Sequence, residues 1–290
     1  MKGLAKMRSS DIKEFSEAER KVLSILHIGM PWRFFKKYAE SILQEKMSVE
    51  IGIGVEELDG VPRKVFIETA DFLKSRGIRY SIHGPFWDLC PGSVDPLIRN
   101  VSFVRLHQLM DVCEIMQPCQ VVCHTGFDPR HHREHVNEFI DRSLPLWESI
   151  ARRAEHIGCS VALENVWEEG PDIHLEIIKT IDSPYFGFCL DVGHRNCFAK
   201  APLMEWLDNL ILYLKEVHLH DNDGSEDAHF PPGTGTVDFT GLFRKLSNNG
   251  VYPILTLEAH REEHFYESVR NLVCLILPDF IENHRKVLAK

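Results

Sequence analysis

The segment 217–238, VHLHDNDGSEDAHFPPGTGTVD, places His218, His220, Asp221, Asp223, Asp227 and His229 in one short stretch that closes in a Pro/Gly-rich turn. Val217-His218-Leu219-His220 alternates, so in an extended strand both imidazoles leave the same face. Asp227-Ala228-His229 adds a carboxylate and an imidazole, a donor pair suited to a borderline divalent cation such as Zn²⁺ or Mn²⁺. Further candidate ligands recur along the chain at His83, His124, Glu164, Asp191, His194 and Glu258. Taken singly, each has a plain structural explanation as a helix cap or a satisfied core histidine. Their chemistry depends on a fold that brings them to one point.

From about residue 21 the sequence alternates short apolar or β-branched runs with longer amphipathic segments. Strands are expected at 22–28, 48–53, 79–83, 120–124, 160–164, 187–191, 216–220 and 254–258. Helices are expected near 32–45, 62–75, 95–116, 134–156, 171–180, 202–214, 239–247 and 261–277. Gly77, Gly158 and Gly250 each stand where a helix should end before a strand. Regular alternation implies parallel strands, since each return to the same sheet needs a crossover helix. Eight such units point to an α/β fold, a single closed (β/α)8 TIM barrel over residues 21–290 preceded by an arm at 1–20. A doubly wound sheet would carry a Gly-rich nucleotide loop after its first strand, and Ile28-Gly29-Met30-Pro31-Trp32 has no such fingerprint. In a barrel, chemistry sits at the carboxyl ends of the strands. Six consecutive strands, the third to the eighth, end in or lead into a potential ligand: His83, His124, Glu164, Asp191 with His194, His220 with Asp227 and His229, and Glu258.

The chain's 290 residues exceed the roughly 250 that such a barrel needs. A hydrophobic content of 44% and a charged content of 26% are those of a globular protein with a large core. Lys+Arg of 33 against Asp+Glu of 43 gives a net charge of −10, which opposes attraction to nucleic acid or an anionic membrane. Near the strand ends only Arg130, Arg133, Arg195 and Arg261 supply positive charge, too few to line both flanks of a damaged DNA duplex. The eight cysteines form no Cys-x-x-Cys pair and read as reduced, mostly core residues. The first 20 residues lack the apolar stretch of a secretory signal, and no run is long enough to span a bilayer, so a cytoplasmic location is expected.

His83-Gly84-Pro85-Phe86, Leu163-Glu164-Asn165, Asp191-Val192-Gly193-His194, His218-Leu219-His220-Asp221, Asp227-Ala228-His229-Phe230-Pro231-Pro232-Gly233 and Leu257-Glu258 together resemble the xylose-isomerase-like (β/α)8 superfamily. The resemblance covers roughly residues 21–275. That superfamily includes sugar and sugar-phosphate isomerases and epimerases, and also apurinic endonucleases of the endonuclease-IV type. The epimerase pattern implies one divalent ion held by Glu164, Asp191, His220 and Glu258, polarising a carbonyl and its neighbouring hydroxyl. Glu164 and Glu258 would then exchange a proton with carbon, and His194 would contact a substrate oxygen. The endonuclease pattern implies three zinc ions, with counterparts in His83, His124, Glu164, Asp191, His194, one of His218 or His220, Asp227, His229 and Glu258, and attack by activated water on phosphorus. Since His218 and His220 share a face, the ligand between them stays open, and the epimerase pattern favours the second.

The expected reading is a metal-dependent isomerase or epimerase using one to three ions of Zn or Mn. Its expected partner is a small-molecule sugar or sugar phosphate, with no nucleic acid or membrane and the oligomeric state open. The alternative is a multinuclear zinc phosphodiesterase. The loop 127–133 has the composition either to bind one phosphate or to be a solvated helix start. Trp32, Phe86, Trp87 and Trp167 follow strand ends, where they can wall the site or pack helix tops. His27 and Glu50 are expected at the pocket floor without an assigned role.

Overall fold

The computed structural model describes residues 15–288. Eight parallel strands close into a barrel in sequence order. They are β1 Leu26–Pro31, β2 Ser48–Gly52, β3 Tyr80–His83, β4 Gln120–His124, β5 Ser160–Glu164, β6 Phe186–Asp191, β7 Leu214–Leu219 and β8 Ile254–Leu257. The helices of the first half are α1 Glu17–Leu23, α2 Trp32–Glu45, α3 Val55–Gly60, α4 Arg63–Lys74, α5 Pro96–Met116, α6 Pro129–His132 and α7 Val136–Ile157. Those of the second half are α8 Asp172–Ile181, α9 Val192–Phe198, α10 Leu203–Leu210, α11 Phe239–Asn248, α12 Glu262–Leu275 and α13 Pro278–Leu288. No helix among the described residues is long and apolar enough to cross a membrane.

The expected alternation is present, with differences at its edges. The first strand was expected at 22–28, but Val22 and Leu23 complete α1, and β1 starts at Leu26. A capping box explains this: the Ser16 hydroxyl accepts from the Glu19 amide, and the Glu19 carboxylate accepts from the Ser16 amide. Of the expected arm, residues 1–14 lie outside the described residues. Phe15 is buried and stacks on Tyr266 at 5.5 Å, so the chain is packed from there on. The expected helix at 202–214 stops at Leu210, passes through a 3₁₀ turn at Ile211–Tyr213, and gives way to β7 two residues before the expected 216. Short helices α3, α6 and α9, and the C-terminal α13, were not expected. Gly158 ends α7 at φ 80°, donating to the carbonyls of Ala154 and Glu155 as a left-handed cap does.

The main core lies between the strands and the helix ring and includes Trp147, Phe186, Phe188, Trp206 and Phe243, all essentially inaccessible. Inside the barrel the packing is divided. Val122, Ala162 and Cys189 form a small apolar group of their own, while His27, Glu50, Ser81, Gln120, Glu216, His218 and Thr256 are polar and fully buried. Of the eight cysteines, Cys113, Cys123, Cys159 and Cys189 are buried and all are unpaired, but Cys119 and Cys274 are exposed rather than core.

Trp147 on α7 fills the space behind β6, with its ring 6.2 Å from that of Phe186. Trp147→Ala should therefore lower unfolding stability by about 3–5 kcal/mol, read from the denaturant midpoint at unchanged slope.

Candidate metal centre

Strand register decides which of these residues meet. His124 on β4 pairs with Glu164 on β5, and Asp191 on β6 pairs with His218 on β7. All four lie at or near the carboxyl ends of neighbouring strands. β7 ends at Leu219, so His220 falls just beyond the sheet, where it faces Asp191 from the loop side.

Glu164 is the hub. Its Oε2 lies 2.9 Å from His83 Nε2 and 3.1 Å from His124 Nε2, while its Oε1 lies 3.1 Å from His194 Nδ1 and 3.6 Å from His218 Nδ1. Burial alone would raise the Glu164 carboxyl, but His124 and His218 hold it well below the usual carboxylate range. Burial would likewise keep His83 neutral, yet the hydrogen bond and charge of Glu164 lift it to about 9. Asp191, fully buried, is drawn down to about 2 against its own desolvation by His194 and His220.

The nine expected ligands are brought to one end of the barrel, in overlapping groups. His83, His124 and Glu164 form one, and His194, His220, Asp227 and His229 form a second. Between them, His218 Nδ1 lies 3.2 Å from Glu258 Oε1, 3.6 Å from Glu164 Oε1 and 3.8 Å from Asp191 Oδ2. His220 was favoured as the fourth ligand beside Glu164, Asp191 and Glu258, but the position among those three carboxylates is taken by His218. His220 instead belongs to the group around Asp227: its Nε2 faces Asp191 Oδ1 at 2.9 Å and its ring stacks on His229 at 3.8 Å. His194 was expected to contact a substrate oxygen. Its Nδ1 lies 3.0 Å from the Asn165 carbonyl and its Nε2 3.3 Å from Asp227 Oδ2, so both ring nitrogens already face protein acceptors.

These donors fit a divalent cation. His218 Nδ1, His220 Nδ1, Asp227 Oδ1 and His229 Nδ1 are all buried without a hydrogen-bond partner; His218 Nδ1 and His229 Nδ1 face Glu258 at 3.2 and 3.6 Å, and His220 Nδ1 and Asp227 Oδ1 face one another at 3.7 Å. Buried polar atoms without partners are costly unless something else satisfies them. His229 also adopts a left-handed backbone at φ 47°, a conformation uncommon for a non-glycine residue and concentrated at functional sites.

Three supporting residues had no role assigned from the sequence. Asp221 is wholly buried and accepts from the amides of Gly233, Gly235 and Val237 at 2.8, 2.9 and 3.1 Å, clamping the loop that carries Asp227 and His229. Asn165 pins Asp191 by donating to its carbonyl at 3.0 Å and accepting from its amide at 2.9 Å. His260 stacks on His229 at 3.6 Å. No spacing signal in the sequence gives the clamping roles of the first two.

At the rim, Phe86 stacks on His124 at 4.5 Å and Trp87 lies against Phe86, with 77% of its surface exposed, so these two wall the site. Trp32 instead packs on Phe66 of α4, and Trp167 on Phe198 of α9. In the loop 127–133, Arg130 pairs with Asp128 at 2.6 Å and Arg133 pairs with Glu169. The loop is thus a helix start whose arginines are already neutralised, which weighs against its expected alternative as a phosphate site.

An eight-stranded parallel barrel with a histidine–carboxylate cluster at its carboxyl end places the chain among (β/α)8 proteins with a candidate metal site. The sequence matches the xylose isomerase-like TIM barrel family over residues 50–273, and the chain belongs to that family. It is 30% identical to an uncharacterized protein of Methanocaldococcus jannaschii over 184 residues, covering 61% of this chain and 63% of the relative. A fructoselysine 3-epimerase of Escherichia coli O157:H7 is 30% identical over 116 residues, or 38% of this chain and 42% of that enzyme. The solved structure of a D-tagatose 3-epimerase-like protein superposes with a TM-score of 0.73 at 24% identity, covering 91% of this chain and all of the other.

Two outcomes follow from the geometry. A Cβ at Gly193 would lie 2.0 Å from His220 Cε1, so Gly193→Ala should cost about 1–3 kcal/mol of stability by overpacking, read by denaturant unfolding. The folded-state value of His83 is raised from 6.5 to about 9, so the stability it contributes is complete below pH 6.5 and lost as pH rises through about 9. Glu50, raised from 4.5 to about 7, acts in the same direction at lower pH. Metal-stripped protein should therefore show a falling urea midpoint between pH 6.5 and 9.

Proposed function

We propose that the protein is a divalent-metal-dependent isomerase or epimerase that moves a proton at carbon in a sugar or sugar phosphate. The observation that carries this reading is the convergence of Glu164, Asp191 and Glu258 on His218 Nδ1, all within 3.8 Å. These four residues would hold the ion. When bound, a divalent ion there supplies Lewis acidity, polarising a carbonyl and its neighbouring hydroxyl. The proton work falls to the glutamates. Glu258, with 20% of its side chain exposed, is open to a substrate carbon, whereas Glu164 is 2% exposed and tied to four histidines. Glu258 is accordingly the primary base and Glu164 its opposite number across the site. Phe86 and Trp87 present an apolar face to the sugar and shield the reacting carbon from water. The similarity to the 3-epimerases supports this reading.

A second reading, a multinuclear zinc phosphoester hydrolase, is favoured by the two ligand groups that flank the central one, His83 with His124 and His194 with Asp227 and His229.

One set of measurements separates them. The protein should hold close to one ion per chain by mass spectrometry, unaffected by Asp227→Ala or His229→Ala. With ketoses or their phosphates in D₂O it should place deuterium on the carbon next to the carbonyl. Chelation should abolish that exchange, and Glu258→Gln should slow it by about 10²–10⁴-fold. Two or three ions per chain, falling in either loop variant, together with phosphodiester cleavage, would establish the hydrolase instead.

A further inference from the structure

His218 is buried between two sets of carboxylates. Its Nδ1 faces the proposed ion position, and its Nε2 faces inward, 3.2 Å from Glu50 Oε1 and 3.7 Å from Glu216 Oε1. Neither inner contact is aligned as a hydrogen bond. With Glu50 ionised, a lone pair on Nε2 would face two carboxylate oxygens 3.2 and 3.7 Å away. The proton therefore belongs on Nε2.

Glu50 is itself held from behind. The Ser81 hydroxyl donates to Glu50 Oε2 at 3.0 Å, and Ser81 Oγ lies 3.0 Å from His27 Nδ1. Ser81 has a single hydrogen, already given to Glu50, so His27 must donate from Nδ1. Each link then has one direction, from His27 to Ser81 to Glu50. Glu50, Glu216 and His218 also lie close enough together to hold an ion, but Glu216 already has donors on both oxygens. Besides the Ser81 bond, Glu216 accepts from Gln120 on Oε2 and from Thr256 on Oε1.

We infer that Glu50, held by Ser81 and His27, is the positioning residue that fixes His218 in its Nε2–H form and so presents the Nδ1 lone pair to the metal. Metal-bound histidines characteristically rely on such a carboxylate on the far ring nitrogen, which sets the tautomer and raises ligand basicity. The inference rests on the metal reading above and adds to it the part of the barrel interior that makes His218 a ligand.

The test is the zinc affinity of metal-stripped full-length protein, measured by competition with a chromophoric chelator. Glu50→Gln keeps the volume but removes the charge, and it should weaken zinc binding by about 10–100-fold. Ser81→Ala should weaken it in the same direction by less. Thr256→Val is the control, since it removes a neighbouring hydrogen bond to Glu216 and leaves the Glu50 chain intact. It should lower the unfolding midpoint without changing zinc affinity. Wild-type affinity in Glu50→Gln, or an equal loss in Thr256→Val, would overturn the inference while leaving the metal reading in place. A wild-type chain that takes up no zinc would overturn both.

Discussion

A carboxylate withdrawn from water must be compensated by donors or positive charge. Glu164 meets that demand with four imidazole nitrogens within 3.6 Å, contributed by β3, β4, α9 and β7. Much of the upper barrel follows from satisfying it. The rings must arrive at the carboxyl ends of successive strands, and the strands must be in a register that sets His124 beside Glu164 and Asp191 beside His218. The arrangement is internally strained in charge: each histidine that neutralises Glu164 is itself crowded by another carboxylate or another ring.

The loop after β7 solves a different problem, holding Asp227 and His229 over the barrel without regular secondary structure. Asp221 does this by accepting several backbone amides, and a two-way bridge between Asp221 and Phe230 ties the two arms together. Close packing continues at the start of α9, where Gly193 leaves room for the His220 ring. The loop that carries Asp227 and His229 is thus tied to the top of the barrel by its own hydrogen bonds.

Much of this was legible in the sequence. Strands β4 and β5 and helix α2 fall where the periodicity puts them, because apolar runs bounded by polar or Gly positions leave little choice of register. The candidate ligands at the strand ends were legible for the same reason. What could not be read was the depth of a side chain along its strand. His218 and His220 share a face and a residue type, and only the end of β7 at Leu219 places one inside the barrel and the other in the loop. The role of Glu50 was hidden because its partners, Ser81 and His218, are 31 and 168 residues away, beyond any local pattern. The first strand was misplaced because α1 is apolar at Val22 and Leu23, which reads equally as the start of a strand.

The charge of the centre links the number of ions to the substrate. Four carboxylates, Glu164, Asp191, Asp227 and Glu258, face the upper site. One divalent ion leaves that set negative, balanced by protonated histidines, and such a site favours a neutral sugar over a phosphoester anion. Three ions would reverse the sign, expel protons from the same imidazoles and draw an anion in. Of the basic residues in the surrounding loops, Arg130, Arg133 and Lys200 are each paired with Asp128 or Glu169. On the proposed reading, the choice between proton transfer at carbon and attack at phosphorus would be made inside the ligand cluster, by how many of its histidines give up their protons to metal.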